Sequence, residues 1–372
     1  MKIGFDAKRL YCNFTGLGNH NRATLAGLLR QFPEHEYHLY TPRIVENAET
    51  RFFLEHEHVR THRPHLLPGG LWRTFGIPAQ LKADGIELYH GLSNELPVKL
   101  RAAGVKSVVT IMDLIFKVYP GTYNWIDRQI YDLKFSRAAR EADAVVAISE
   151  ATKRDLVRFY GIAEEKIEVI YPIVNELFLT EGEEVPALPF ELPESYFLYV
   201  GSVIERKNLA LLVEAYRLLP ESYRLPVLVV GNGKAYKKYV MELLQGHGLS
   251  EHFWWLTVSD NRQLKQLYRQ AKGLIYPSLY EGFGLPVVEA HFCRTPVITS
   301  NVSSLPEAAG PHAITIDPSS PGELAEAIRH LLDDEAAAAA MAQQAHAFAW
   351  RQFHPEKLTR QLMDLYSKTL QT

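Results

Sequence analysis

Short apolar runs, each ending at a glycine or polar turn and followed by a helical pattern, occur twice over in this chain. That alternation restricts it to mostly parallel sheets with helices on both faces. In the first half, Lys2–Asp6, Tyr37–Tyr40, Ile86–Tyr89, Ser107–Ile111 and Ala144–Ile148 read as strands. Helices are predicted over Leu17–Arg30 and Asn124–Arg140, and another is entered at Ser149, a capping residue directly after a strand. A second series begins at Tyr196–Val200 and continues through Val227–Val230, Phe253–Leu256, Leu274–Tyr276 and Pro296–Thr299. Between the two, Pro172, Pro186, Pro189 and Pro193 mix with Glu181, Glu183, Glu184, Glu191 and Glu194, and periodicity is lost. The prediction is an α/β protein of two Rossmann-like domains facing across a cleft, 1–172 and 196–354, joined by a linker, 173–195. The alanine-rich tract Glu335–Met341 reads as helix, because alanine is the strongest helix former.

The bulk properties agree with this division. A chain of 372 residues suits two domains of roughly 170–190 residues better than one core. Apolar residues at 47% and charged residues at 22% are globular values. A net charge of -3 disfavours a dedicated nucleic-acid binder, which carries a basic excess. Residues 1–170 hold 23 Lys+Arg against 20 Asp+Glu, the remainder 17 against 23. The mildly basic first half suits an anionic acceptor or a membrane surface. Cys12 and Cys293 stand far apart and imply no disulfide framework. The N-terminus runs straight into a strand, and no apolar stretch approaches the ~18–20 residues of a bilayer span. The expectation is a cytoplasmic protein with at most peripheral membrane contact.

Ligands bind open α/β sheets at the carboxyl ends of strands, and the informative residues fall there. Gly16-Leu17-Gly18 opens the first long helix, where glycine backbone N–H groups can approach an anion. Gly201 ends a buried strand, and Arg206 and Lys207 follow it just before a helix that Asn208 can cap. Two cations beside a helix N-terminus suit a diphosphate, bound or departing. Gly231-Asn232-Gly233 is a third turn of this kind.

The sharpest feature is Glu281-Gly282-Phe283-Gly284-Leu285-Pro286-Val287-Val288-Glu289. Pro286 occupies a first-turn helix position, so Glu281 lies in the loop and Glu289 on the helix, and both carboxylates can face one cleft. Carboxylates accept pairs of hydrogen bonds from vicinal hydroxyls, and one near an oxocarbenium-like centre stabilises positive charge.

These segments resemble glycosyltransferase family 4, the retaining GT-B transferases, over nearly the whole chain. The match is carried by Thr15–Gly18, Ala144–Gly161, Tyr199–Asn208, Tyr276–Ala290 and Pro296–Gly310, with Glu281 and Glu289 as the E-x7-E signature. The resemblance implies a hexosyltransferase using a nucleotide-sugar donor, GDP-mannose favoured, and a glycan or lipid-linked acceptor. It makes Arg206 and Lys207 the diphosphate pair, Glu289 the ribose ligand and Glu281 the contact to the transferred sugar. Phe283, Gly284 and Leu285 would line the sugar and phosphate pocket, and Trp255–Val258 would pack on the base. A helix over 355–372 would cross back onto the first domain. No metal or other cofactor is implied, and the chain has no D-x-D.

Two positions depart from the family. Met112 stands where relatives often carry a cleft histidine, leaving His90, also at a predicted strand end, as the candidate ligand. Arg294 stands where relatives commonly have a turn glycine. Met112 also keeps open a weakly active partner subunit, and the scaffold keeps open a nucleotide-sugar epimerase. The histidines His56, His58, His62 and His65 sit among Glu55, Glu57, Arg60 and Arg63 and read as a polar strand and loop rather than a metal site.

Overall fold

A computed structural model of the chain describes residues 1–64, 67–180, 188, 191–258 and 260–372. The described residues form two compact units, Met1–Asn175 with His354–Thr372, and Glu176–Phe353.

The first unit is built on seven strands: β1 (Lys2–Asp6), β2 (Glu36–Tyr40), β3 (Val59–His62), β4 (Leu88–Gly91), β5 (Lys106–Ile111), β6 (Ala144–Ala147) and β7 (Ile167–Val169). They lie in the order β3-β2-β1-β4-β5-β6-β7, every pairing parallel. The second unit carries β8 (Phe197–Val200), β9 (Val227–Val230), β10 (Phe253–Leu256), β11 (Gly273–Tyr276), β12 (Val297–Ser300) and β13 (Ile314–Ile316). Their order is β10-β9-β8-β11-β12-β13, again all parallel. Both orders contain the doubly wound 3-2-1-4-5-6 pattern, in which the chain reverses direction of travel between its first and fourth strands. The switch points are therefore β1/β4 and β8/β11.

Helix boundaries follow local chemistry. Ser149 Oγ accepts the Thr152 N–H and starts the helix Glu150–Tyr160, and Gly161 closes it in the left-handed region. Asn124 caps Trp125–Glu141 through the Asp127 N–H. The helix Pro355–Gln371 buries Leu358, Leu362, Met363 and Tyr366 in the first unit's core, beside Leu25 and Leu28 of the helix Gly16–Gln31.

Three expectations change. The strand expected at Ile86–Tyr89 is shifted to Leu88–Gly91, because the Ile86 N–H bonds back to Leu81 O and the ladder with β1 and β5 runs on through His90. The polar strand expected around His56–His65 is β3, and the short strands β7 and β13 complete the sheets beyond the expected set. The linker expected from 173 is shorter at its start: Ile173 is buried in the first unit's core, whereas Phe178 packs on Tyr268 and Lys265 Nζ donates to Leu177 O and Thr180 O of the second unit. Its residues 181–187, 189 and 190 lie outside the described residues.

Arg294, at the turn into β12, has φ 56°. A left-handed non-glycine residue costs roughly 1–2 kcal/mol, of which the greater unfolded-state freedom of glycine returns about 0.5–1. Arg294→Gly is expected to raise unfolding free energy by about 0.5–1 kcal/mol, read from urea denaturation of the full chain; a loss of stability would show that Arg294 contacts outweigh the backbone strain.

Candidate active site

The residues singled out in the second half converge at the β8/β11 switch point. The loop leaving β8 turns at Gly201 and forms a single helical turn, Glu205–Lys207, which presents Arg206 and Lys207. The loop leaving β11 carries Glu281. Arg206 Nη1 lies 2.8 Å and Lys207 Nζ 2.7 Å from Glu281 Oε1, with all three side chains nearly buried. Lys207 Nζ also donates to the Tyr276 hydroxyl and lies 4.5 Å from the centre of that ring.

Backbone stitching holds the two loops together. The Leu279 N–H donates to Arg206 O, and Arg206 Nη1 donates to Tyr280 O. Asn208 was expected to cap the helix Leu209–Leu218, but its side chain makes no capping bond. It sits at φ 58°, and its amide Nδ2 donates to Pro277 O and Pro318 O, tying this loop to the ends of β11 and β13. Ser304 Oγ donates to both Glu281 O and Phe283 O, and the Glu281 N–H donates to Ser303 Oγ. Sequence reading gave Ser303, Ser304, Tyr268 and Tyr276 no role. Ser303, Ser304 and Tyr276 lie in segments that carried the resemblance, which was the available signal; Tyr268, in the helix Asn261–Gln270, lies outside them.

The glycines serve this packing. A Cβ on Gly231 would lie 1.9 Å from Gly201 O, and one on Gly233 2.1 Å from Val203 O. The Gly231-Asn232-Gly233 turn thus presses its backbone against the phosphate-candidate loop, with Asn232 O accepting the Val203 N–H. Gly284, at φ 123°, starts the helix Leu285–Phe292. Phe283 points into the core against Phe353, so only its backbone can serve a pocket.

Electrostatics divides the two glutamates. Burial alone would raise the Glu281 carboxyl, but Lys207 and Arg206 outweigh it and hold that carboxyl below its ordinary value. Burial depresses the Lys207 ammonium, an effect Glu281 partly offsets. Among the described residues Glu289 makes no ion pair; burial pushes it up to about 7, moderated by the Tyr268 hydroxyl, 3.0 Å from Oε2, and by Lys207. Arg206, Lys207 and Glu281 are thus in direct contact, and Glu289 lies within the field of Lys207.

Other predicted residues are placed differently. Leu285 opens the Glu289 helix, and Val258 is half-buried beyond β10. Trp255 rests on the core with Lys237 Nζ 4.4 Å from its ring centre. In the first unit, the Gly18 N–H expected to meet an anion donates instead to Asn13 Oδ1 at 3.0 Å. A Cβ there would lie 1.7 Å from Asn13 O, so Gly18 is required by loop packing, whereas Gly16 faces open space. His90 is likewise corrected. It is inside β4 and buried, its Nδ1 2.6 Å from Tyr366 Oη and its Nε2 2.8 Å from Thr110 Oγ1. Burial lowers it to about 3, so it is a neutral structural bridge with both nitrogens engaged. Met112 is buried just past β5, its N–H donating to Asn94 Oδ1.

The elevated Glu289 carboxyl has a stability consequence. A native carboxyl titrating near 7 and an unfolded one near 4.5 mean that the native state binds the extra proton between those values. Its contribution therefore falls as pH rises through that window. Glu289→Gln should gain melting temperature relative to the parent from pH 4.5 to 7, followed by thermal unfolding across pH; a constant offset would remove the assignment.

The comparisons with known proteins follow the same geometry. Residues 181–348 match the family model described as "Glycosyl transferases group 1" and residues 14–176 that described as "Glycosyltransferase Family 4". The chain is 30% identical over 296 residues to O-antigen chain mannosyltransferase B of Escherichia coli, covering 75% of this chain and 74% of that protein. It is 31% identical over 292 residues to the serotype-specific mannosyltransferase WbdA of Escherichia coli, covering 71% of this chain but 34% of that longer protein. Among solved structures, sucrose-phosphate synthase from Thermosynechococcus elongatus aligns with a TM-score of 0.77 at 22% identity, covering 99% and 98% of the two chains. Anabaena HepE with UDP and glucose aligns at 0.73 and 18% identity, over 99% and 100%. Paired parallel sheets of this topology, the matched family models and the mannosyltransferase relatives establish that the chain belongs to glycosyltransferase family 4 and has the GT-B fold.

Proposed function

We propose that this glycosyltransferase is a retaining hexosyltransferase that takes mannose from GDP-mannose, without a metal ion, and passes it to a glycan or lipid-linked acceptor. The observation that carries the reading is the Arg206–Lys207–Glu281 cluster at the β8/β11 switch point. Mannose is favoured because the relatives at 30–31% identity are named mannosyltransferases. A nucleotide-sugar donor is favoured also by the UDP in the HepE structures.

The two cations are engaged by one carboxylate, leaving a net single positive charge among the three groups. An incoming diphosphate competes with Glu281 for Arg206 and Lys207 and, once bound there, frees the Glu281 carboxylate for the hexose. As the anomeric C–O bond to phosphate breaks, charge grows on the leaving oxygen, where the same two cations act in a site poor in water. The acceptor oxygen attacks from the face the phosphate leaves, and its proton passes to a phosphate oxygen. No protein base is required, in keeping with Met112 and with the engaged nitrogens of His90. Glu289, held by Tyr268, would take the ribose hydroxyls.

The test is incubation with GDP-mannose and with UDP-glucose, assigning the anomer of the transferred or hydrolysed sugar. Retained configuration from GDP-mannose is expected; inversion would overturn the mechanism, and turnover of UDP-glucose alone would overturn the donor. Glu281→Gln should lower kcat by about 10²–10³-fold while tightening nucleoside diphosphate binding, because the competing carboxylate is gone. Weaker diphosphate binding would contradict the exchange.

Peripheral contact of the first unit with a lipid surface is supported by the helix Trp125–Glu141, which is apolar on two sides. One side buries Phe135, Ala138 and Ala139; the other exposes Trp125, Ile126, Ile130 and Leu133, at 68% and 72% for Trp125 and Leu133. Large exposed apolar groups gathered on one face mark an interaction site. None of the helices among the described residues is long and apolar enough to cross a membrane. The parent is expected to co-sediment with vesicles containing anionic lipid, and Trp125→Ser with Leu133→Ser to reduce the bound fraction severalfold with unchanged donor hydrolysis; equal sedimentation would refute the contact.

A further inference from the structure

We propose that His38, His62 and Asp84 form a binding site for a divalent transition-metal ion of the zinc class at the β2/β3 edge of the first sheet, apart from the transferase residues. One ligand atom from each lies within 4.8 Å of the other two. Sequence reading set His62 in a histidine-rich stretch with His56, His58 and His65. The fold instead places it beside His38, 24 residues earlier, and opposite Asp84. His65 lies outside the described residues.

The parallel register creates the grouping. Tyr40 pairs with His62 and His38 with Arg60, so side chains 38, 40 and 62 leave one face of the sheet. The helix Ile77–Asp84 packs over that face and ends with Asp84 beside His62, its Oδ2 3.5 Å from His62 Nδ1. The two imidazole planes are within 10° of parallel, their centres 5.1 Å apart and His38 Nδ1 3.0 Å from His62 Nε2. The rings therefore meet edge to edge, with in-plane nitrogens aimed at one another.

Zinc holds imidazole nitrogen at about 2.0–2.1 Å and carboxylate oxygen at about 2.0–2.2 Å, so tetrahedral ligands stand roughly 3.3 Å apart. The 3.0 Å between His38 Nδ1 and His62 Nε2 is near that spacing, and the remaining separations, all within 4.8 Å, close by turning the rings and the partly exposed Asp84 carboxylate. Three protein ligands leave a fourth position for water.

Supporting contacts are in place. The Tyr40 ring stacks on His62 with centres 4.6 Å apart, and its hydroxyl donates to Asp84 Oδ2 at 2.7 Å. Glu36 Oε2 is 3.6 Å from His38 Nε2, and a carboxylate beside the other ring nitrogen fixes ring orientation in metal sites. Asp84 supplies the negative charge nearest the two imidazoles, while Glu36 is paired with Lys2. A bound ion would pin β3, an edge strand paired only with β2, to the helix above it.

The test is titration of the chelator-treated full chain with Zn²⁺ by calorimetry and with Co²⁺ by visible absorption, together with melting in the presence of Zn²⁺. His62→Phe, which keeps the stack on Tyr40, and Asp84→Asn, which keeps an acceptor for its hydroxyl, should each weaken Zn²⁺ binding at least tenfold. His56→Gln should leave binding unchanged. X-ray absorption of the zinc-loaded parent, which does not depend on any variant folding, should show two imidazole nitrogens and carboxylate oxygen. Absence of binding, equal affinity in parent and variants, or a spectrum without imidazole, meaning an adventitious ion only, would overturn the site.

Discussion

Two cations sharing one nearly buried carboxylate is the interaction on which the second unit's site is organised. Removing charges from water is costly, and a group so buried persists only when each member is paired. Arg206, Lys207 and Glu281 meet that condition because two separate loops are held in register with each other. Asn208 ties the first loop to the ends of β11 and β13, and Ser304 clamps the second through Glu281 O and Phe283 O. Loss of either support would move a charge off its partner without touching a charged residue.

Topology explains why the cluster stands where it does. In a doubly wound sheet, the strands on either side of the switch point send their loops apart, opening a crevice at their carboxyl ends. Both units have such a point, and the chain fills the two differently. At β8/β11 the cations outnumber the carboxylate in contact with them. At β1/β4, Arg73 lies between Asp6 and Glu95, with Nε 3.0 Å from Asp6 and Nη1 2.7 Å from Glu95. There Lys134 Nζ also lies 3.5 Å from Glu95 Oε2, so two cations meet two carboxylates, and the Gly18 amide is consumed by Asn13. The cluster at β8/β11 thus keeps one cation in excess, whereas the one at β1/β4 is balanced.

His90 shows how burial reverses a plausible role. Placed at the mouth of a strand, an imidazole with a free nitrogen can exchange protons near neutral pH. Two residues deeper in the ladder, it bridges β4, β5 and the helix Pro355–Gln371 through Thr110 and Tyr366. It titrates far below neutrality. A shift of one strand boundary by two residues separates these outcomes.

Much of the architecture was legible because its causes are local. Strand and helix periodicity, the Ser149 cap and the turn glycines are properties of adjacent residues, and they specified two parallel α/β units. The charged residues of the candidate site were also legible, since Arg206–Lys207 and Glu281–Glu289 each follow a strand and ligand-bearing loops lie there. The partners were not. Which carbonyl Asn208 would find, whether Gly18 would serve an anion or Asn13, and which carboxyl would be depressed and which raised all depend on groups tens of residues away. So does the meeting of His38, His62 and Asp84, which follows from strand register and from the helix that crosses it. Sequence alone thus determined the elements and the chemistry they could carry. Only tertiary packing decided burial and pairing, because both are set by which distant side chains exclude water from a given atom.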